Sequence, residues 1–322
     1  MPLDTYESTF QQFSETTSED WKNKIIKDLK GEAFDKLIWH TKEGIEILPF
    51  YTKADNKKYQ LTIPAKQTTS WIITEKIIVD NFEEANKQAL SALEYGAERI
   101  VFDLQHKVPD KGEVEMLLKG ILLDVAPVCF ENYKEENKTL LESFAKKSCV
   151  QIIKIQQQTT ITDELVEALQ QALRNETFDL HVHFYIGQNY FFDIAKLRAF
   201  RWLWKQVCDL KNQPYHIFIQ CETSVNNFSK EYEYSNILRN TTSAMSAVLG
   251  GCDSLIINSH DAGKKNTEFG KRIARNINHI LQHESYFNSP EVSENDAAKG
   301  SYYIEYLTYQ LCKKSWEKFS KL

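Results

Sequence analysis

The sequence predicts an α/β fold: a (β/α)8 TIM barrel over residues 66–322, preceded by an N-terminal arm over residues 1–65. From about Ser70 onward, short apolar segments alternate with longer amphipathic ones, the signature of a parallel sheet covered by helices. Seven apolar segments can be read, more than the usual about five or six strands of a doubly wound sheet. Together they occupy roughly 250 residues, the length of one such barrel.

The elements follow in order. In the arm, "SEDWKNKIIKDLKG" reads as a short helix capped by Ser18, with Trp21, Ile25, Ile26 and Leu29 on one face and Gly31 as its stop. "KLIWHTKEGIEILPF" alternates like a strand pair turning at Gly44 and breaking at Pro49, and the chain then reads as polar and irregular through Lys58. In the barrel, the strands "WIITEKI", "RIVFDL", "GILLDV" (leading on through "APVCF"), "VQIIKI", "FDLHVHFYI", "YHIFIQC" and "SLIIN" alternate with helical stretches. The eighth strand is weakly marked, its candidate lying near Phe287, and "SYYIEYLTYQLCKKSWEKF" reads as the closing helix.

Composition excludes several function classes. A net charge of −6 argues against nucleic acid as the main partner, since a phosphate-backbone binder concentrates Lys and Arg on one face. No apolar run approaches the ~18–20 residues of a membrane span, and the N-terminus lacks a basic region followed by an apolar core. Six scattered cysteines without a C-x-x-C pair read as small buried apolar side chains, so the expected compartment is the cytoplasm.

Candidate chemistry is sparse. Gly250 and Gly251 follow a helix and precede a strand, the reverse of a phosphate loop, and read as a helix stop. Arg239, Asn258, Ser259, His260 and Asp261 are the candidate binding residues; the last four follow the strand Leu255–Ile257, at the strand end where barrels place their sites. The same Asn, Ser and Asp could simply cap the next turn. His181 and His183, two apart on a strand, imply no third metal ligand and read as interior or interface residues. Arg198 and Arg201 read as helix-surface charges, Trp202 and Trp204 as packing residues, and Asp103, Asp124 and Lys154 as loop or barrel-layer charges. No catalytic residue and no metal-ligand set is assigned.

Five stretches in order resemble the methylmalonyl-CoA mutase family: "WKNKIIKDLKG" with "EGIEILPFYT", "FFDIAKLRAFRWLW", "RNTTSAMSAVLGGCDSLIINSHDA", "KRIARNINHILQHES" and "KGSYYIEYLTYQLCKKSWEKF". The resemblance implies a barrel whose arm embraces a partner. In active members coenzyme A threads that barrel, and adenosylcobalamin supplies the radical that interconverts methylmalonyl-CoA and succinyl-CoA. It also implies losses. The Arg-, Pro- and Tyr-rich substrate segment shrinks to Tyr59–Trp71, and Ile256 and Ile257 replace the His-Thr pair of active members. "DLHVHF" carries Asp179 and His181 of the cobalt-ligating Asp-x-His-x-x-Gly motif, but Phe184 stands at its Gly. The expectation is a small, non-catalytic subunit with no cofactor of its own. Its partner would be a large catalytic subunit holding adenosylcobalamin, or a second copy of itself, with Trp21, Trp39, Phe50 and Tyr51 as interface anchors. The alternative is a divergent barrel that binds a coenzyme A thioester or another small ligand. A structural subunit is expected to fill its barrel with bulky residues such as Phe102, Ile153, Phe184 and Phe218.

Overall fold

The computed structural model describes residues 16–59, 61–66, 70–145, 151–174, 179–287 and 296–322. Its arm carries α1 (Ser18–Asp28), the hairpin β1 (Trp39–His40) and β2 (Glu46–Ile47), and α2 (Lys53–Tyr59). Seven parallel strands follow: β3 (Ile72–Ile78), β4 (Arg99–Asp103), β5 (Val128–Glu131), β6 (Ile153–Ile155), β7 (Asp179–Ile186), β8 (His216–Thr223) and β9 (Ser254–Ile256). Their helices are α3 (Phe82–Glu94), α4 (Lys111–Leu118), α5 (Lys138–Phe144), α6 (Ile161–Arg174), α7 (Tyr190–Lys211), α8 (Ser235–Leu249) and α9 (Glu268–His279), and α10 (Tyr302–Phe319) ends the chain.

The sheet order is β5-β4-β3-β9-β8-β7-β6. This is TIM-barrel-like, but the expected eighth strand is absent among the described residues. The reason lies in register: Ile72, Ile73 and Thr74 pair directly with Ser254, Leu255 and Ile256, leaving no slot between the first and last strands. The candidate near Phe287 is instead a turn following a π-helical segment, Ile280–Glu284, and Phe287 packs against the main core. No ladder joins the edge strands β5 and β6 among the described residues. Their side chains do meet: Lys154 Nζ on β6 lies 2.8 Å from Glu131 Oε2 on β5. The sheet therefore curls until its two edges touch through an ion pair.

Alternation along each strand explains the layers. Leu180, Val182, Phe184 and Ile186 of β7 face outward and pack with Phe200 and Leu203 of α7 in the main core. Phe102 and Phe130 face outward in a second cluster beneath α3 and α4. Phe102 and Phe184 thus cover the sheet's outside instead of filling its inside, and Ile153 shares that outward row through its pairing with Val182. Of the expected interior residues only Phe218 is inside, stacked on His181 and covered by the Arg99 guanidinium 4.5 Å from its ring.

The helix stop after α8 holds in detail. Cys252 N–H donates to Ala247 C=O and Gly251 N–H to Val248 C=O, a Schellman closure with Gly251 at φ +87°. Gly250 permits close approach of α8 to α7: a Cβ there would lie 3.0 Å from Leu197 Cδ1 and 3.2 Å from Ile194 Cα.

Two expectations need correction in α7. Arg198 and Arg201 are not surface charges; they are 1% and 3% exposed. Arg198 donates to Asp296, to Glu305 Oε1 at 3.0 Å and to Thr308 Oγ1 at 2.7 Å, clamping α10 to α7. Arg201 donates to Asp253 Oδ2 and Gly251 C=O, each at 2.6 Å, tying α7 to the turn before β9. Trp204 is fully buried, as its packing role required. The five described cysteines are free and buried.

In the arm, the cap of α1 is Thr17, one residue before the expected Ser18, in a reciprocal capping box with Asp20. The stretch expected to be irregular through Lys58 is helical from Lys53, and Tyr51 and Tyr59 pack their rings on Tyr303, Tyr306 and Tyr309 of α10. Ile45 and Ile47 enter the main core, so the second half of the arm is anchored on its own barrel. The first half is less covered: α1 has no buried residue and Trp21 is 57% exposed, while Trp39, 48% exposed, meets Phe192 of α7 edge-on at 5.8 Å.

Candidate functional site

The inward face of the sheet is charged. Pairing places Lys154 beside His183, His183 beside Gln220, and Gln220 beside Ser254, in one row across four strands. Just above that row, toward the strands' C-terminal ends, sit Lys76, Tyr185 and Glu222, with Glu131 reaching in from β5. The strand sequences explain the placement, because His183, Gln220 and Glu222 alternate with the apolar residues that cover the outside.

His183 is the centre. It is fully buried, with Nδ1 3.4 Å from Glu131 Oε1 and Nε2 3.3 Å from Glu222 Oε2. Gln220 Nε2 lies 2.9 Å from His183 Nδ1 and donates to Glu131 Oε1. Lys76 pairs with Glu222, and Lys154 with Glu131. Burial opposes every charge here. For Glu131 and Glu222 it is outweighed by His183 and the lysines, which hold both carboxyls below the usual range. For His183 burial is outweighed by the two carboxylates, and its pKa is raised. Lys76 and Lys154 offset the charges of Glu222 and Glu131, and His183 lies between the two carboxylates.

Linkage fixes the pH window. The carboxylates' contribution is present above their ordinary value near 4.5 and is lost as pH falls through their lowered values. The contribution of His183 is present below its ordinary 6.5 and is lost as pH rises through its raised value. The thermal-unfolding deficit of His183→Gln is therefore expected to be largest between about pH 4.5 and 6.5 and to shrink on the alkaline side. A deficit that grows steadily from pH 6.5 to 9 would contradict protonation of the buried imidazole.

Above the cluster, at the C-terminal mouth, lies a cavity of about 520 Å³ lined by Lys76, Asp103, Gln157, Tyr185, Glu222 and Asn258 among others. The structure divides the candidate residues predicted from sequence. Asn258 belongs here, donating Nδ2 to Glu222 Oε1 at 3.0 Å and to Thr223 C=O at 2.6 Å. Ser259 also lines this cavity but spends its hydroxyl on Asn266. His260 and Asp261 line an adjoining hollow, and Asp261 accepts from the backbone and hydroxyl of Thr267, the N-cap of α9. Arg239 is exposed beside a third hollow with Gln188 and Asn240. Sequence reasoning read His183 as an interior or interface residue and Lys154 as a loop or barrel-layer charge, but it missed Lys76, Glu131, Gln220 and Glu222. Their available signal was a polar residue at every second position of an apolar strand.

Ile256 is buried and packs inward with Val101 and Cys129, while Ile257 joins the outer core. His181 lies within β7 against Phe218, in a strand and not in a loop that could present it to cobalt. Among the described residues no helix is long and apolar enough to cross a membrane.

The family model described as methylmalonyl-CoA mutase matches residues 162–322. The chain belongs to the methylmalonyl-CoA mutase family. The methylmalonyl-CoA mutase small subunit of Porphyromonas gingivalis is 27% identical to this mutase-family chain over 397 positions, covering 97% of this chain and 64% of that one. The mitochondrial methylmalonyl-CoA mutase of Homo sapiens is 27% identical over 398 positions, covering 90% and 52%. The methylmalonyl-CoA mutase of Rhizobium meliloti is 42% identical over 142 positions, covering 42% and 19%. The chain thus spans less than two thirds of the length of these relatives. The first alignment runs over 397 positions although the whole chain has 322 residues, so that relative carries internal stretches that this barrel lacks.

Proposed function

We propose that this chain is a non-catalytic barrel of a methylmalonyl-CoA mutase, the structural partner of a large subunit that holds adenosylcobalamin and interconverts methylmalonyl-CoA and succinyl-CoA. The observation that carries the reading is the arm. Helix α1 is fully capped yet buries none of its residues against its own barrel, and Trp21, Ile26 and Trp39 are exposed. A formed helix with an uncovered apolar face is what an embracing arm presents to a partner. The small-subunit name of the first relative agrees with it.

The interior supports the non-catalytic half of the reading. Catalysis needs donors aimed at charge that develops during reaction. Here Lys76, Lys154 and His183 are already committed to Glu222 and Glu131, and Ile256 offers no donor.

Co-expression with a mutase large subunit is expected to give a heterodimer that survives gel filtration at micromolar concentration. Trp21→Ala combined with Trp39→Ala is expected to weaken it about tenfold or more. Separate elution of the wild-type chains would end the proposal. The alternative, a ligand-binding barrel, rests on the cavity of about 520 Å³ at the strand ends. Calorimetry with succinyl-CoA separates the two: saturable binding by the isolated chain favours the alternative.

A further inference from the structure

The adjoining hollow has a volume of about 460 Å³ and is lined by Glu233, Asn236, His260, Asp261 and the lysines Lys230 and Lys264 among others. Donor atoms of Glu233, His260 and Asp261 lie within 4.8 Å of one another. Two of these side chains are buried, His260 at 4% and Asp261 at 3% exposure. Asp261 Oδ2 is used by Thr267, but Asp261 Oδ1 and His260 Nδ1 are buried without a hydrogen-bond partner among the described residues. Leaving an imidazole nitrogen and a carboxylate oxygen unpaired in one buried place is costly. The imidazole is held there by Tyr234, stacked 5.4 Å away, and by Phe269 edge-on at 5.9 Å.

We propose that Glu233, His260 and Asp261 bind a divalent transition ion of the zinc class. One imidazole nitrogen with two carboxylate oxygens suits zinc, manganese or cobalt, whereas calcium and magnesium prefer oxygen alone. Three protein ligands leave a position open to the hollow. Tetrahedral donors at about 2.1 Å from an ion stand about 3.4 Å apart, so pairs that now lie within 4.8 Å must close by up to about 1.4 Å. Glu233, half-buried on the turn before α8, can supply that movement. Its present partner is Lys264 Nζ at 3.7 Å, a solvent-screened pair that a metal displaces easily. The ion would pin the turn before α8 to the loop after β9, independently of any subunit partner.

The test uses the full chain, stripped with a chelator and titrated with Zn²⁺ alone by calorimetry and with Co²⁺ by visible absorption. One equivalent is expected to bind, and saturating Zn²⁺ is expected to raise the unfolding temperature by about 5 °C. Glu233→Gln and His260→Gln are each expected to weaken binding more than about tenfold. Glu233→Gln is expected to unfold at the wild-type temperature without metal, which separates a lost ligand from a lost fold. Absence of saturable binding by either ion overturns the site. So does binding of unchanged affinity in both variants.

Discussion

Replacing Glu222 with alanine is expected to destabilise the protein by about 3–5 kcal/mol, because it removes one partner of a buried charge pair and leaves the others. For a chain of this size that corresponds to a fall in Tm of roughly 10 °C. Glu222 is 3% exposed and serves three groups at once: Lys76, His183 and Asn258. Lys76 can swing toward the cavity at the strand ends, so part of its loss is recovered in water. His183 cannot, since it is fully buried. Its Nε2, 3.3 Å from Glu222 Oε2, would be left without that carboxylate. The measurement is thermal unfolding of Glu222→Ala beside Glu222→Gln, which keeps an acceptor and loses only the charge. An alanine variant within 2 °C of wild type would mean that the interior is wetter and less coupled than its geometry indicates.

Arg198→Met is expected to cost a similar amount, about 3–5 kcal/mol. Asp296 and the fully buried Glu305 would face each other with no cation between them, and Thr308 would lose its donor. The backbone N–H of Gly300 still donates to Glu305 Oε1, which softens the loss without supplying charge. Adding Glu305→Met is expected to recover part of the stability, since removing both members of a buried pair costs less than removing one. Strict additivity of the two substitutions, read from denaturant midpoints, would show that the pair is uncoupled. The expected consequence of losing the clamp is loosening of α10 from α7, and with α10 the tyrosine cluster that anchors the arm.

These two networks mark where reading the sequence succeeded and where it stopped. Six of the seven strand segments coincide with strands, because a strand covered by helices must put an apolar residue at every second position; in the third, residues 120–125 form no strand and the strand begins only at Val128. The glycine pair at 250–251 was legible as a stop, because a left-handed residue after a helix has few other uses. The eighth strand was an expectation drawn from the fold class; among the described residues it is absent, and direct pairing of β3 with β9 leaves no room for it between them. Arg198 was misread because its partners lie about a hundred residues away, at Asp296 and Glu305. The polar run at 258–261 was correctly placed at a strand end. Sequence order nevertheless suggested one cluster, where the turn sends Asn258 to the barrel mouth and His260 and Asp261 to its outer flank.

By itself, the sequence determined the alternation of strands and helices, the arm with its exposed tryptophans, and the kinship with the mutases. Each rests on local periodicity or on a run of neighbouring residues. Only the tertiary structure decided how the barrel is filled. A charge on a strand has the same local signature whether it meets water, a ligand or another charge. Curling the sheet brings Glu131 from one edge and Lys154 from the other to opposite ends of one ion pair, around a histidine that neither adjoins in sequence.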